Sequence, residues 1–287
     1  MGCAAALTLS ACSGPQGSGR ELTVSIPAQK WLLDSIVGDR YEVRAMLGAG
    51  SNPETFEPSM QQLMGVQNSA AYFTVGELGF ELSAIPKLQE NFPSLRIVDS
   101  SAGIRRLTGT HAGHSHDDGD HGHDHGASDP HVWTSLPNAR LMAKNMYEAV
   151  VRLDPDNKEY YTARFRDLDK NLATLNDSVA GALAPLKGRS FVVWHPSLSY
   201  FARDYGLEQV SIESPGKEAS PAQFREQLDH AGHGTPLLFF NQAEFDSRQG
   251  SGVAAELGIP TATIAVMQED LPAQIRTLTH ELTSAPH

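Results

Sequence analysis

Hydrophobic and polar positions along the chain alternate between two rhythms. Leu22-Thr23-Val24-Ser25-Ile26 is a short β-prone run that stops at Pro27, and Trp31, Leu32, Ile36 and Val37 then recur at helical spacing over 28–38. Tyr41 to Leu47 alternates again as a strand and empties into Gly48-Ala49-Gly50-Ser51-Asn52-Pro53, a loop by composition. Residues 59–69 read as a helix, 71–75 as a strand, 80–90 as a helix and 95–98 as a strand. Strands that alternate with helices in this way predict a parallel sheet flanked by helices, with ligands received at the carboxyl ends of the strands.

The rhythm breaks at 108–129, a stretch rich in Gly, Asp and His. From Pro137 to about Leu186 the pattern predicts two helices, interrupted at Asp154-Pro155-Asp156. The second carries Tyr160, Phe165, Leu168, Leu172, Leu175 and Val179 as one apolar stripe, long enough to be a spine between two lobes. Strands then return at 190–194, 209–212, 237–240 and 261–266, alternating with helices at 199–205, 221–231, 248–257 and 270–283. The fold class expected is therefore α/β: two parallel-sheet lobes joined by a long rigid helix, with a cleft between them. The division expected is a tether over 1–20, a first lobe over 21–150, the linking helix over 151–187 and a second lobe over 188–287.

Charge narrows the partners. The formal net charge is -12, so a polyanion such as nucleic acid is repelled while cations are drawn in. The two cysteines, Cys3 and Cys12, both fall within the first dozen residues, which leaves the body without disulfides, zinc ribbons or thiol nucleophiles. Met1 to Ser13 is small and apolar, and a Gly/Ser/Pro tether follows it. Leu9-Ser10-Ala11-Cys12 resembles the lipobox of bacterial lipoproteins, in which the cysteine becomes the lipidated first residue. The expectation is an extracytoplasmic monomer held to a bacterial membrane through Cys12.

The densest chemistry lies in the break itself. His111, His114, His116, His121, His123 and His125 are interleaved with aspartates, with nothing apolar larger than Ala between them. Such a tract binds borderline metals loosely and in many geometries, which suits capture or sensing better than a preorganised site. A tight site must come from ordered positions. His131, in Asp-Pro-His-Val-Trp, opens the ordered structure after the tract, and His195, in Val-Trp-His-Pro-Ser, follows the first strand of the second lobe. Taken singly, each is more often a hydrogen-bonded structural histidine. One from each half, with His195 at a strand's carboxyl end, points instead to a shared ligand.

From about residue 20 onward the chain resembles the metal-binding solute-binding proteins of ABC importers, the zinc and manganese cluster, and most of all its zinc-specific members. The resemblance rests on Gly-Ala-Gly-Ser-Asn-Pro-Glu-Thr-Phe-Glu-Pro at 48–58, the His/Asp tract, and Asp-Pro-His-Val-Trp-Thr-Ser at 129–135. It extends to Ala-Pro-Leu-Lys-Gly at 184–188 and Trp-His-Pro-Ser-Leu-Ser-Tyr-Phe-Ala at 194–202. It implies two lobes on a rigid helix, one Zn(II) ion carried between them, and delivery to a membrane permease, with His131 and His195 as the second and third ligands. At the first ligand this chain departs from the family. Glu54 stands where Pro-His-Thr-Phe-Glu-Pro is usual. A carboxylate still ligates zinc, but as a harder donor it also admits Mn(II) or Fe(II). For a fourth ligand the second lobe offers Glu244, then Gln242, then water. Glu213 and Glu218 read as surface or lobe-interface charges, Asp270 as the N-cap of the last helix, and His230, His233, His280 and His287 as solvated.

Two rival functions remain. A zinc hydrolase also uses two His and a carboxylate, with Glu57 available as base, but HExxH, GxSxG and Walker motifs are all missing. A metal-buffering, adhesin-like lipoprotein differs only in its partner.

Overall fold

The computed structural model describes residues 20–107, 128–214, 217–218, 234–245 and 248–286. Its first half is built on strands β1 (Glu21–Val24), β2 (Glu42–Ala45), β3 (Ser69–Thr74) and β4 (Arg96–Asp99), all parallel in the order β2-β1-β3-β4. Helices α1 (Pro27–Val37), α2 (Met60–Gly65) and α3 (Gly79–Asn91) make the crossovers. The β1 register Leu22, Thr23 and Val24 is buried on both faces, as a parallel sheet covered by helices requires.

Two antiparallel helices follow, α4 (Leu136–Leu153) and α5 (Lys158–Leu183), with a 3-10 turn at Pro155–Asn157 between them. Ser135 caps α4 by accepting from the Asn138 N–H, and Asp154-Pro155 ends it. The second lobe mirrors the first. Strands β5 (Ser190–Val193), β6 (Glu208–Ser211), β9 (Phe239–Gln242) and β10 (Thr261–Ile264) run parallel in the order β10-β9-β5-β6. Helices α6 (Ser199–Tyr205), α7 (Arg248–Leu257) and α8 (Leu271–Ser284) accompany them. A two-residue hairpin, β7 (Glu213–Ser214) with β8 (Lys217–Glu218), follows β6. The two-lobed α/β architecture with a long linking helix is the one expected from the sequence.

Three local expectations change. The buried tyrosine of α5 is Tyr161, whose hydroxyl donates to Asp154, whereas Tyr160 lies at the edge and donates to Asp39. The run expected at 237–240 sits two residues later as β9, because Gln242 stays inside the sheet with its amide fully bonded. The hairpin at 213–218 has no hydrophobic pattern and was not expected. Asp270 does cap α8, accepting from the Ala273 N–H at 2.9 Å. The helix expected at 221–231 and the tract His111–His125 lie outside the described residues, as do Cys12, His230, His233 and His287.

The larger of two apolar clusters among the described residues runs through both lobes. It links Leu22, Leu32 and Phe73 of the first lobe to Leu168, Leu172 and Leu175 of α5 and to Phe191, Phe201, Ile275 and Leu278 of the second. Polar ties cross the same boundary. Trp133 Nε1 donates to the Val266 carbonyl at 3.2 Å, Ser135 bonds Asp204, and Lys30 pairs with Glu269 at 2.9 Å. This shared core holds the carboxyl ends of both sheets against one another.

Candidate metal centre

Three segments meet in the cleft. Glu54 comes from the loop after β2, where its N–H donates to Asn52 Oδ1 at 2.8 Å in an Asx turn. His131 comes from the chain beyond β4, just ahead of the 3-10 turn Val132–Thr134. His195 follows β5 directly. A parallel sheet sends its carboxyl ends to one rim, so loops distant in sequence converge there.

Glu54 Oε1 lies 3.4 Å from His195 Nε2 and 3.9 Å from His131 Nε2. The two imidazoles stand at 72° with centroids 5.1 Å apart. One ligand atom from each of the three residues falls within 4.8 Å of the others. Tetrahedral zinc with donors at about 2.0–2.2 Å wants donor–donor separations of about 3.3–3.6 Å, and the two distances to Glu54 Oε1, 3.4 and 3.9 Å, lie within a few tenths of an ångström of that range. The decisive detail is what the ring nitrogens do. Both Nε2 atoms are buried and have no hydrogen-bond partner. A buried polar atom left unpaired costs about 1–3 kcal/mol, so two of them aimed at one carboxylate oxygen mark a place made for something else.

The opposite nitrogens are fully engaged. His131 Nδ1 meets Asp129 Oδ1 at 2.9 Å, and the same oxygen accepts the His131 N–H at 2.8 Å. His195 Nδ1 meets Glu213 Oε2 at 3.1 Å. Each carboxylate engages Nδ1 and so turns Nε2 toward the cleft, the arrangement typical of metal-bound histidine. Burial alone would lower the His195 pKa, but Glu213 and Glu54 outweigh it and raise it to about 9. Contact with His195 holds the Glu54 carboxyl below its ordinary value against the opposing effect of burial. Asp129 is also lowered: burial pushes it up, and its bonds to His131 more than reverse that. Phe245 stacks on His195 at 4.7 Å and 15°, and the Trp133 ring lies 5.2 Å from His131.

The fourth ligand expected from the second lobe is not brought to this group. Glu244 is buried and turns Oε1 to the Met267 N–H at 2.7 Å, while its Oε2 is buried without a hydrogen-bond partner. Gln242 is also committed elsewhere. Its Oε1 accepts from the His195 N–H at 2.8 Å, and its Nε2 donates to the His195 carbonyl at 3.0 Å and to Ser197 Oγ at 2.7 Å. It fixes the His195 backbone. Glu213, expected as a surface or interface charge, is the partner of His195. The clue available in the sequence was its place directly after the strand that neighbours β5. Asp129 was visible in Asp-Pro-His, two residues before His131, and drew no role. Glu57 and His280 are exposed.

The sequence model of the family described as zinc-uptake complex component A, periplasmic (ZnuA) matches residues 22–283. The chain belongs to that family. A zinc-binding lipoprotein, AdcA, of Streptococcus pneumoniae is 27% identical over 288 residues, covering 98% of this chain and 55% of that protein, so the chain spans about half the length of this relative. The high-affinity zinc uptake system protein ZnuA of Bacillus subtilis is 28% identical over 238 residues, covering 81% of this chain and 74% of that protein. A crystal structure of a ZnuA superposes with a TM-score of 0.82 at 29% identity, over 93% of this chain and 99% of that one. A manganese-bound periplasmic protein from candidatus Liberibacter asiaticus shares the fold at 17% identity, with a TM-score of 0.77.

Proposed function

We propose that this ZnuA-family chain captures one Zn(II) ion between its lobes and passes it to the membrane permease of an ABC importer. The ligands would be Glu54 Oε1, His131 Nε2 and His195 Nε2, with water in the fourth position. The observation that carries the reading is the pair of buried, unpartnered Nε2 atoms facing one carboxylate oxygen. The zinc-named relatives and the family description support zinc as the cargo. The working division is a tether over 1–20, lobes over 21–150 and 188–287, and a linking helix over 151–187. Cys12 would anchor the chain to the outer face of a bacterial membrane, and the tract His111–His125 would gather ions near the cleft mouth. Binding and release, with no bond made or broken in a substrate, would be the whole of its chemistry.

Glu54 gives a second reading its footing. A His-His-carboxylate set is acceptable to Fe(II) and harder than three imidazoles, so Mn(II) or Fe(II) would be the competing cargo. Calorimetric titration with Zn(II), Mn(II) and Fe(II), the last under anaerobic conditions, separates the two. The expected result is one tight zinc event that survives removal of 108–127 and is lost in His195→Ala. Tight manganese or iron binding with weak zinc would reassign the cargo, and an unchanged tight event in His195→Ala would sink the cleft site.

A further inference from the structure

Resting on the cleft site proposed above, we infer that Tyr200 is a positioning residue for metal binding: its hydroxyl ties the neck of the 108–127 segment to the second lobe and so sets Asp129, and through it the His131 imidazole, in register with His195. Tyr200 lies on α6 and is fully buried. Its hydroxyl does two jobs at once. It accepts from the Leu107 N–H at 3.0 Å and donates to the Asp129 carbonyl at 2.8 Å. Those two residues are the last described position before the segment and the second after it, and they also bond to each other, Asp129 N–H to Leu107 carbonyl at 2.8 Å.

The neck is therefore closed by three hydrogen bonds, two of them made by one phenolic oxygen from the opposite lobe. Asp129 passes this restraint on. Its Oδ1 holds both the backbone N–H and the Nδ1 of His131. Tyr200 in turn sits five residues after His195 on the same stretch of chain. The ligand of the first lobe is thus indexed against the segment that supplies the ligand of the second. Without the hydroxyl, Leu107 N–H and Asp129 C=O lose their partner, and Asp129 gains freedom to rotate away from His131. Groups that orient a metal-bound histidine typically change metal affinity by about 10–100-fold when removed.

The test is Tyr200→Phe, which deletes one oxygen and keeps the ring, compared with Tyr205→Phe on the same helix. The Tyr205 hydroxyl donates to Asn176 at 3.0 Å and has no link to Asp129. Zinc affinity is read by chelator competition, site geometry by the visible spectrum of the Co(II)-loaded protein, and folding by thermal melting. Both variants are made in the full chain and in a chain with 108–127 replaced by a short glycine link. The expected result is about a 10–100-fold loss of cleft affinity with an altered Co(II) spectrum in Tyr200→Phe, in both backgrounds, against unchanged values in Tyr205→Phe. Equal affinities and spectra in the two variants would overturn the inference, as would a Tyr200→Phe loss that vanishes once the segment is removed. If the unsubstituted protein itself bound zinc without using His131 and His195, the cleft reading would fail first and this inference with it.

Discussion

At the residue scale, the proposed site would set a metal against a proton. In the metal-free protein His195 has a pKa raised to about 9 from 6.5, so near neutral pH it carries a proton that the metal must displace from Nε2. Zinc binding at pH 7 is expected to release about one proton, and apparent affinity to rise about tenfold per pH unit until the His195 pKa is passed. Calorimetry in buffers of different ionisation enthalpy measures the proton count, and a count of zero would refute the assignment of His195. The sign for folding is opposite. A raised histidine pKa stabilises the metal-free fold fully below about pH 6.5 and loses that support as pH climbs through about 9. Melting temperature without metal should fall over that window, while zinc-loaded protein should not follow it.

The residues of this competition were unequally legible in the sequence. His131, His195 and Glu54 stood out because ligating types fell at motif positions. Gln242 and Glu244 read as ligands because each is a polar side chain at a strand end, and in the fold each bonds a backbone group, His195 in one case and Met267 in the other. Asp129 and Glu213 act through an imidazole, and no spacing rule announces such a partner.

At the scale of elements, the pattern was a better guide, since helical and strand periods are fixed by backbone geometry. The linking helix α5 is the clearest case. Leu168, Leu172, Leu175 and Val179 recur every three or four residues and are all buried. Leu172 touches the core shared by both lobes, so Leu172→Ala should cost about 2–5 kcal/mol, read as a lower urea midpoint with an unchanged slope. A cost below about 1 kcal/mol would mean that the helix is not the packed spine described. What the period rules missed, β9's offset and the hairpin at β7 and β8, are places where side-chain hydrogen bonds or short turns decide, and hydrophobicity has nothing to say.

At the scale of the whole molecule, two sheets in sequence suggest two folding units, but the packing joins them. The core runs unbroken from β1 through α5 to α8, and Trp133, Ser135 and Lys30 reach across. Differential scanning calorimetry should therefore show one transition for the metal-free chain, with calorimetric and van't Hoff enthalpies in agreement. Two resolved transitions would mean that the lobes unfold separately. Zinc in excess should move the single transition upward as a unit, as a ligand of the folded state does.

The bracing of the three proposed ligand arms is uneven, and that would set an order of departure. The His131 ring leans on Asp129 and the His195 ring on Glu213, while Gln242 grips the His195 backbone. Among the described residues, the Glu54 carboxylate has only the two imidazoles to hold it, and its loop is steadied locally by Asn52 and by Phe56 against Phe80. An ion held by the proposed ligands would shed the carboxylate first, and an incoming donor would enter on that side while two imidazoles still retained it. In the function proposed here, hand-off would then be a stepwise ligand exchange. In hydrogen exchange, the amides of 48–57 should open fastest among the three arms, and zinc should slow them more than it slows those of 129–134 or 193–197.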